Sequence, residues 1–198
     1  MKKTLMLLFT LVFVLPLSAC SSGSVSSINT VITKKNLNTW QQLTAQLPVV
    51  QANKEGSNQG FTIADSIGKE SVIEGTVYNL KKLNVKANHA HTRVSVHVDK
   101  VINGDKNLQN KVIDLVFDGG ITTTNSWYKN KNQTREADHH IMVEYNQNKL
   151  PKIGSKVVVE VNPVDLNDES GNLELLRQNK MDLNKTYNWQ ALGANYSF

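Results

Sequence analysis

The chain of 198 residues has one cysteine, four prolines and only 7% aromatic residues. A single thiol permits no internal disulfide, which excludes the cystine-stapled scaffolds, so the fold must rest on its hydrophobic core. Few prolines and eleven glycines without a period exclude collagen-like and proline-rich chains. No apolar run reaches the ~20 residues a helix needs to cross a bilayer. The longest, Leu5 to Leu17, contains Thr10 and Pro16 and gives way to the polar stretch Ser21 to Ser27. Several enzyme signatures are also missing: there is no Gly-x-Ser-x-Gly elbow, phosphate loop or dinucleotide fingerprint. What remains, 39% apolar and 20% charged residues, has the composition of a single globular domain.

The N-terminus has the layout of a secretory signal: Lys2 and Lys3, then the apolar run, then the small pair Ser18-Ala19. Loss of residues 1–19 would take both lysines and lower the formal net charge from +5 to +3, leaving a chain close to balanced. Leu17-Ser18-Ala19-Cys20 resembles the lipobox of bacterial lipoproteins. That resemblance implies cleavage before Cys20, a diacylglycerol on its thiol, and a mature chain on the outer face of a membrane. Two acyl chains give stable anchoring, at about 0.8 kcal/mol per buried methylene. Ser21 to Thr30, rich in serine with little to bury, then reads as a flexible tether, so the expected organisation is signal 1–19, anchor and tether 20–32, and one globular domain 33–198.

Within the domain, Leu37, Trp40, Leu43 and Leu47 recur at helical spacing between Thr33 and Leu47, and Pro48 ends the run. Gln51 to Gly60 reads as a linker and Phe61 to Gly68 as a helical turn. Beyond Ser71 the period becomes two. Val72 to Leu80 is a strand with room for a bulge at Gly75. Thr92 to Ile102 alternates Val94, Val96 and Val98 against a polar face of Arg93, Ser95, His97 and Asp99, which predicts one dry and one wet side. Val112 to Phe117, His140 to Tyr145 and Lys156 to Val161 continue the series, Leu173 to Leu176 is a further short apolar segment, and Asn103-Gly104-Asp105 and Gly119-Gly120 mark turns. Five to six short strands after a helix predict a small antiparallel, OB-like barrel with an N-terminal amphipathic helix. Glu74-Gly75-Thr76-Val77, Val94 to Ile102 leading into Gly104-Asp105, and Val112 to Phe117 ending at Gly119-Gly120 resemble a pattern in small, uncharacterised β-barrel lipoproteins of Gram-positive bacteria. The resemblance implies surface location and fold, and carries no catalytic residues.

Two constellations invite chemistry. The segment Ile121 to Ala137 holds Trp127 and Tyr128 beside Lys129, Lys131 and Arg135, a set that suits stacking on a ligand face and pairing with phosphate or carboxylate. The competing arrangement is a hairpin whose aromatics pack inward. The second is the histidine series: His89, His91, His97 with Asp99, and Asp138-His139-His140. Imidazole and carboxylate are good metal ligands, so a metal-binding protein or metal-dependent hydrolase is the alternative function. Strand parity argues against it, setting His139 with Ile141, Val143 and Tyr145 but His140 with Met142 and Glu144. No cofactor motif is present, and a near-balanced charge is a poor match to nucleic acid. The expectation is a non-enzymatic, membrane-anchored binding module for an envelope glycan, polyanion, peptide or protein.

Overall fold

The computed structural model describes residues 30–52, 70–84, 87–129, 137–145, 149–167 and 172–190. Cys20, tether residues 21–29 and the expected helical turn at 61–68 lie outside the described residues, whereas residues 30–32, expected in the tether, are helical. A helix α1 (Thr30–Thr44) is followed by β1 (Val49–Ala52), β2 (Ser71–Leu83), β3 (His91–Asn103), β4 (Val112–Asp118) and β5 (Gly120–Thr123). The short helix α2 (Thr124–Trp127), β6 (His140–Tyr145), β7 (Lys156–Pro163), α3 (Asn172–Gln178) and β8 (Thr186–Gln190) complete the order.

Five strands close a barrel in the order β2-β3-β4-β8-β7. β2, β3 and β4 form an antiparallel meander, and β7 returns antiparallel to β2. β8 inserts between β4 and β7, antiparallel to β7 and parallel to β4. This is the strand order of an OB barrel, and the mainly β, OB-like expectation holds. Closure, however, uses one parallel pair where antiparallel strands throughout were expected. Five strands closed with the other four pairings antiparallel leave the β4–β8 seam parallel, and the connection between β7 and β8 carries α3 over the outside of the barrel.

The alternation on β3 and β4 fills the interior as the sequence predicts. Val94, Val96, Val98, Ile113, Leu115 and Phe117 meet Ile73, Val77, Leu80, Val159 and Val161 in one buried cluster, at about 1.5–3 kcal/mol for each fully buried large aliphatic or aromatic side chain. Trp189 from β8 packs edge-on against Phe117, with ring centroids 5.3 Å apart. At Gly75 the register of β2 against β3 shifts, and a Cβ there would press on Val96 and come within 2.7 Å of the His97 carbonyl oxygen. Glycine is what lets β2 bend across the barrel at this point.

A second, three-stranded sheet has the order β1-β6-β5. Gly119 and Gly120, at φ +117° and +129°, turn the chain out of β4 into β5, so the break expected there is a sharp turn between strands. Ile141, Met142 and Val143 on β6 are all buried, while His140 at its start and His139 just before it are both exposed, so strand alternation does not extend to His139. Both faces of β6 are covered, which removes the contrast on which parity rests.

Three further corrections concern element type. Gln51 and Ala52, read as linker, end strand β1. Leu173 to Leu176 is helical, and with Met181 it buries Leu83, Val116 and Val164 against the outside of the barrel. On α1, Leu37 and Trp40 pack against the barrel core, whereas Leu43, expected on the same face, is 52% exposed. Asn36 Nδ2 donates to the Tyr78 carbonyl oxygen at 3.0 Å and fixes the helix on β2.

Candidate functional site

The outward residues of β3, expected to be wet, form a largely buried polar seam between β2, β4 and β7. Ser95 and His97 are only 6% and 7% exposed. Asp99 is the hub: its Oδ2 accepts from Thr76 Oγ1 at 2.6 Å and from Lys156 Nζ at 2.7 Å. Its Oδ1 lies 2.8 Å from His97 Nδ1. Burial alone would raise the Asp99 carboxyl, but the hydrogen bonds from Lys156, Thr76 and His97 outweigh it and hold the group below its ordinary range. The same bond to Asp99 raises the Lys156 ammonium. An ionised Asp99 can only accept, so His97 donates through Nδ1. Its Nε2, on the far side of the ring, is buried without a hydrogen-bond partner.

An aspartate-oriented histidine two residues from a serine has the materials of a nucleophilic site. The geometry denies it one. Ser95 Oγ donates to Asp114 Oδ1 at 2.6 Å, and Arg93 Nη2 holds Asp114 Oδ2 at 3.0 Å. The serine is therefore committed to β4 while His97 is committed to Asp99. The seam fastens four strands across their outer face and offers no nucleophile–base contact.

The aromatic-cationic segment divides. Trp127 is 5% exposed and packs with Ala90, Ile141 and Val143, with Tyr128 half-buried against the same cluster. The inward-packing arrangement therefore describes Trp127, which is a core residue of the small sheet; Lys129 is exposed, and Lys131 and Arg135 lie outside the described residues. Asp138, weighed as a metal ligand, instead accepts from Asn125 N at 2.9 Å and Thr124 Oγ1 at 3.1 Å, and the bond from the Asn125 backbone leads the causes that lower its pKa. It ties the start of α2 to the strand that follows. His97 and His140 stand in different sheets, and among the described residues no group of three or more His, Cys, Asp or Glu side chains gathers to hold a metal.

Two concavities among the described residues bear on binding. One, of about 580 Å³, lies between α1, the small sheet and residues 150–153, with Trp40, Leu47, Leu80, Met142, Leu150 and Ile153 among its lining. The helical spacing places Leu37, Trp40 and Leu47 on one face, and Pro151 and Gly154 mark a turn before β7. The signal for the groove was the presence of Leu150 and Ile153 within a turn, where polar residues are the rule. Beside it, β1 is bonded to β6 in parallel and has no second strand neighbour among the described residues. The other concavity, of about 630 Å³, opens at the barrel end where β2 begins and β3 and β7 finish. No described helix is long and apolar enough to cross a membrane. No protein-family model, curated protein or solved structure matches the chain.

Proposed function

We propose that the chain is a lipid-anchored, extracytoplasmic binding module without catalytic activity that takes an extended segment of a partner polypeptide into the groove between α1 and the small sheet. The observation that carries this reading is the apolar groove beside β1, whose outer edge has no strand neighbour among the described residues. An extended peptide can add to β1 through its backbone while its side chains enter the groove, the mode by which sheet edges recognise strands. A volume of about 580 Å³ falls within the range of ordinary ligand clefts. The lipobox-like Leu17 to Cys20 and the serine-rich tether support placement at a membrane surface. Anchoring would raise the effective concentration of a module whose groove alone gives modest affinity.

Two experiments test the two halves separately. Cys20→Ala should move the protein from the membrane to the soluble fraction; retention on the membrane would refute the anchor. For the groove, a photo-crosslinking residue at Gln41 should yield a discrete polypeptide adduct in native envelopes. Val49→Glu, at a position 53% exposed in the groove wall, should abolish that adduct with no change in thermal unfolding. An adduct that persists unchanged in Val49→Glu would place the partner elsewhere.

A further inference from the structure

We propose that the open end of the barrel, between the β3–β4 turn and β8, is a binding site for an organic ammonium group, independent of the groove. The cavity holds about 630 Å³, and barrel mouths are among the usual places for small-ligand sites. Its apolar surface comes from Leu108, Pro163 and the half-buried Tyr187, whose ring also packs against the barrel core. A hydrocarbon body has a surface to cover there, and a cation has an aromatic face.

The polar side of the mouth is set by a rigid turn. Gly104 sits at φ +94°, and a Cβ there would collide with Ser71 and with the Glu70 carbonyl oxygen, so the turn is seated directly on the start of β2. Asp105 N donates to Ser71 Oγ at 3.0 Å, and Asp105 Oδ1 accepts from Asn107 N at 2.9 Å. These bonds hold the carboxylate in place before any ligand arrives, which lowers the ordering cost of binding.

The charge balance selects the sign of the ligand. The nearest cationic side chain on the turn, Lys106, directs its ammonium to the Val101 carbonyl oxygen at 2.8 Å. Burial and then Asp105 raise the Tyr187 phenol; burial and then Glu70 raise Glu160, three residues before Pro163. In both, burial leads and a neighbouring carboxylate adds to it, which agrees with the acidic character that Asp105 gives the mouth. An anion would be repelled by Asp105. A hard metal ion would need six or more oxygen ligands, and no group of three acidic or imidazole side chains is assembled among the described residues. A compact ammonium with N–H donors and an alkyl body meets the remaining requirements: one fixed acceptor, one aromatic face and an apolar floor.

The test uses the full chain in a non-ionic maltoside detergent, titrated with n-butylammonium chloride and, as the neutral match, n-butanol, with amide shifts of Gly104, Asp105, Leu108 and Tyr187 followed by NMR. Butylammonium should give saturable shifts in the millimolar range, and butanol at the same concentrations should not. Asp105→Asn keeps the capping oxygen, since asparagine caps as well as aspartate, and should weaken butylammonium binding about tenfold. Tyr187→Leu should weaken it about threefold. Equal shifts with butanol, undiminished binding in Asp105→Asn, or tighter saturation of the same amides by calcium chloride would each overturn the proposal.

Discussion

Trp127 separates a packing role from a binding role, and its removal is the sharpest single perturbation of the small sheet. The ring is 5% exposed and lies against Ala90, Ile141 and Val143, with Val50, Tyr128 and Tyr145 at the edges of the cluster. Truncation to alanine removes the central member of a small core in which few neighbours can collapse inward. Large aromatic-to-alanine changes at such sites cost about 3–5 kcal/mol. For a domain of this size each kcal/mol moves Tm by roughly 2–4 °C, so Trp127→Ala should lower Tm by about 6–20 °C. Urea unfolding followed by far-UV circular dichroism gives the free energy directly, and the emission of Trp40 and Trp189 reports whether the barrel side loosens in the same transition. Lys129→Ala, at an exposed position two residues on, should change stability by less than about 0.5 kcal/mol. A loss below about 1 kcal/mol for Trp127→Ala would refute the reasoning and return Trp127 to the set of ligand-contacting residues.

Other perturbations address the barrel. Gly75→Ala forces a methyl against Val96 and toward the His97 carbonyl oxygen, where backbone cannot yield; it should cost about 1–3 kcal/mol, read as a lower urea midpoint, and an unchanged midpoint would contradict the close approach. The folded Asp99 carboxyl is held below its unfolded value, so its contribution is present above about pH 4 and is lost as pH falls through the folded pKa. Asp99→Asn should therefore flatten the acid limb of a Tm–pH profile, and superimposable limbs would remove Asp99 from the network. Burial, with Asp118 adding to it, pushes the Tyr145 phenol up to about 12, so absorbance titration should show a late-ionising tyrosine that disappears in Tyr145→Phe. A titration unaffected by that substitution would mean the phenol is not held in the interior of the small sheet.

The sequence made legible those elements in which one face is wet and the other dry. β3 and β4 alternate cleanly, and the glycine at position 75 marks the place where the register shifts. β6 was found, but its residues 141–143 are buried on both sides, so alternation carried no information about where His139 and His140 point. β8 was missed because Thr186-Tyr187-Asn188-Trp189-Gln190 has no aliphatic residue, and its burial is created by partners far away in the chain. Leu173 to Leu176 is too short for its period to separate helix from strand, and the outer faces of β2 and β4 decided the matter. The polar face of β3 was read correctly as polar and incorrectly as solvated, because hydrogen bonds between Thr76, Asp99, Lys156, Ser95 and Asp114 join strands separated by up to 57 residues. The groove and the barrel mouth were illegible for the same reason: each is a product of tertiary assembly. Sequence marked the mouth only as an Asn-Gly-Asp turn.

The position of β8 also sets a schedule for assembly. Its partners β4 and β7 have no other way to meet, and 67 residues separate Asp118 from Thr186. Until β8 is in place, the edge of β4 that it occupies has no partner, even if the meander β2-β3-β4 has already formed. For that interval the chain is a sticky, half-built sheet. An edge of that kind can template pairing with a second chain, so the arrival of β8 both closes the barrel and removes a site of aggregation.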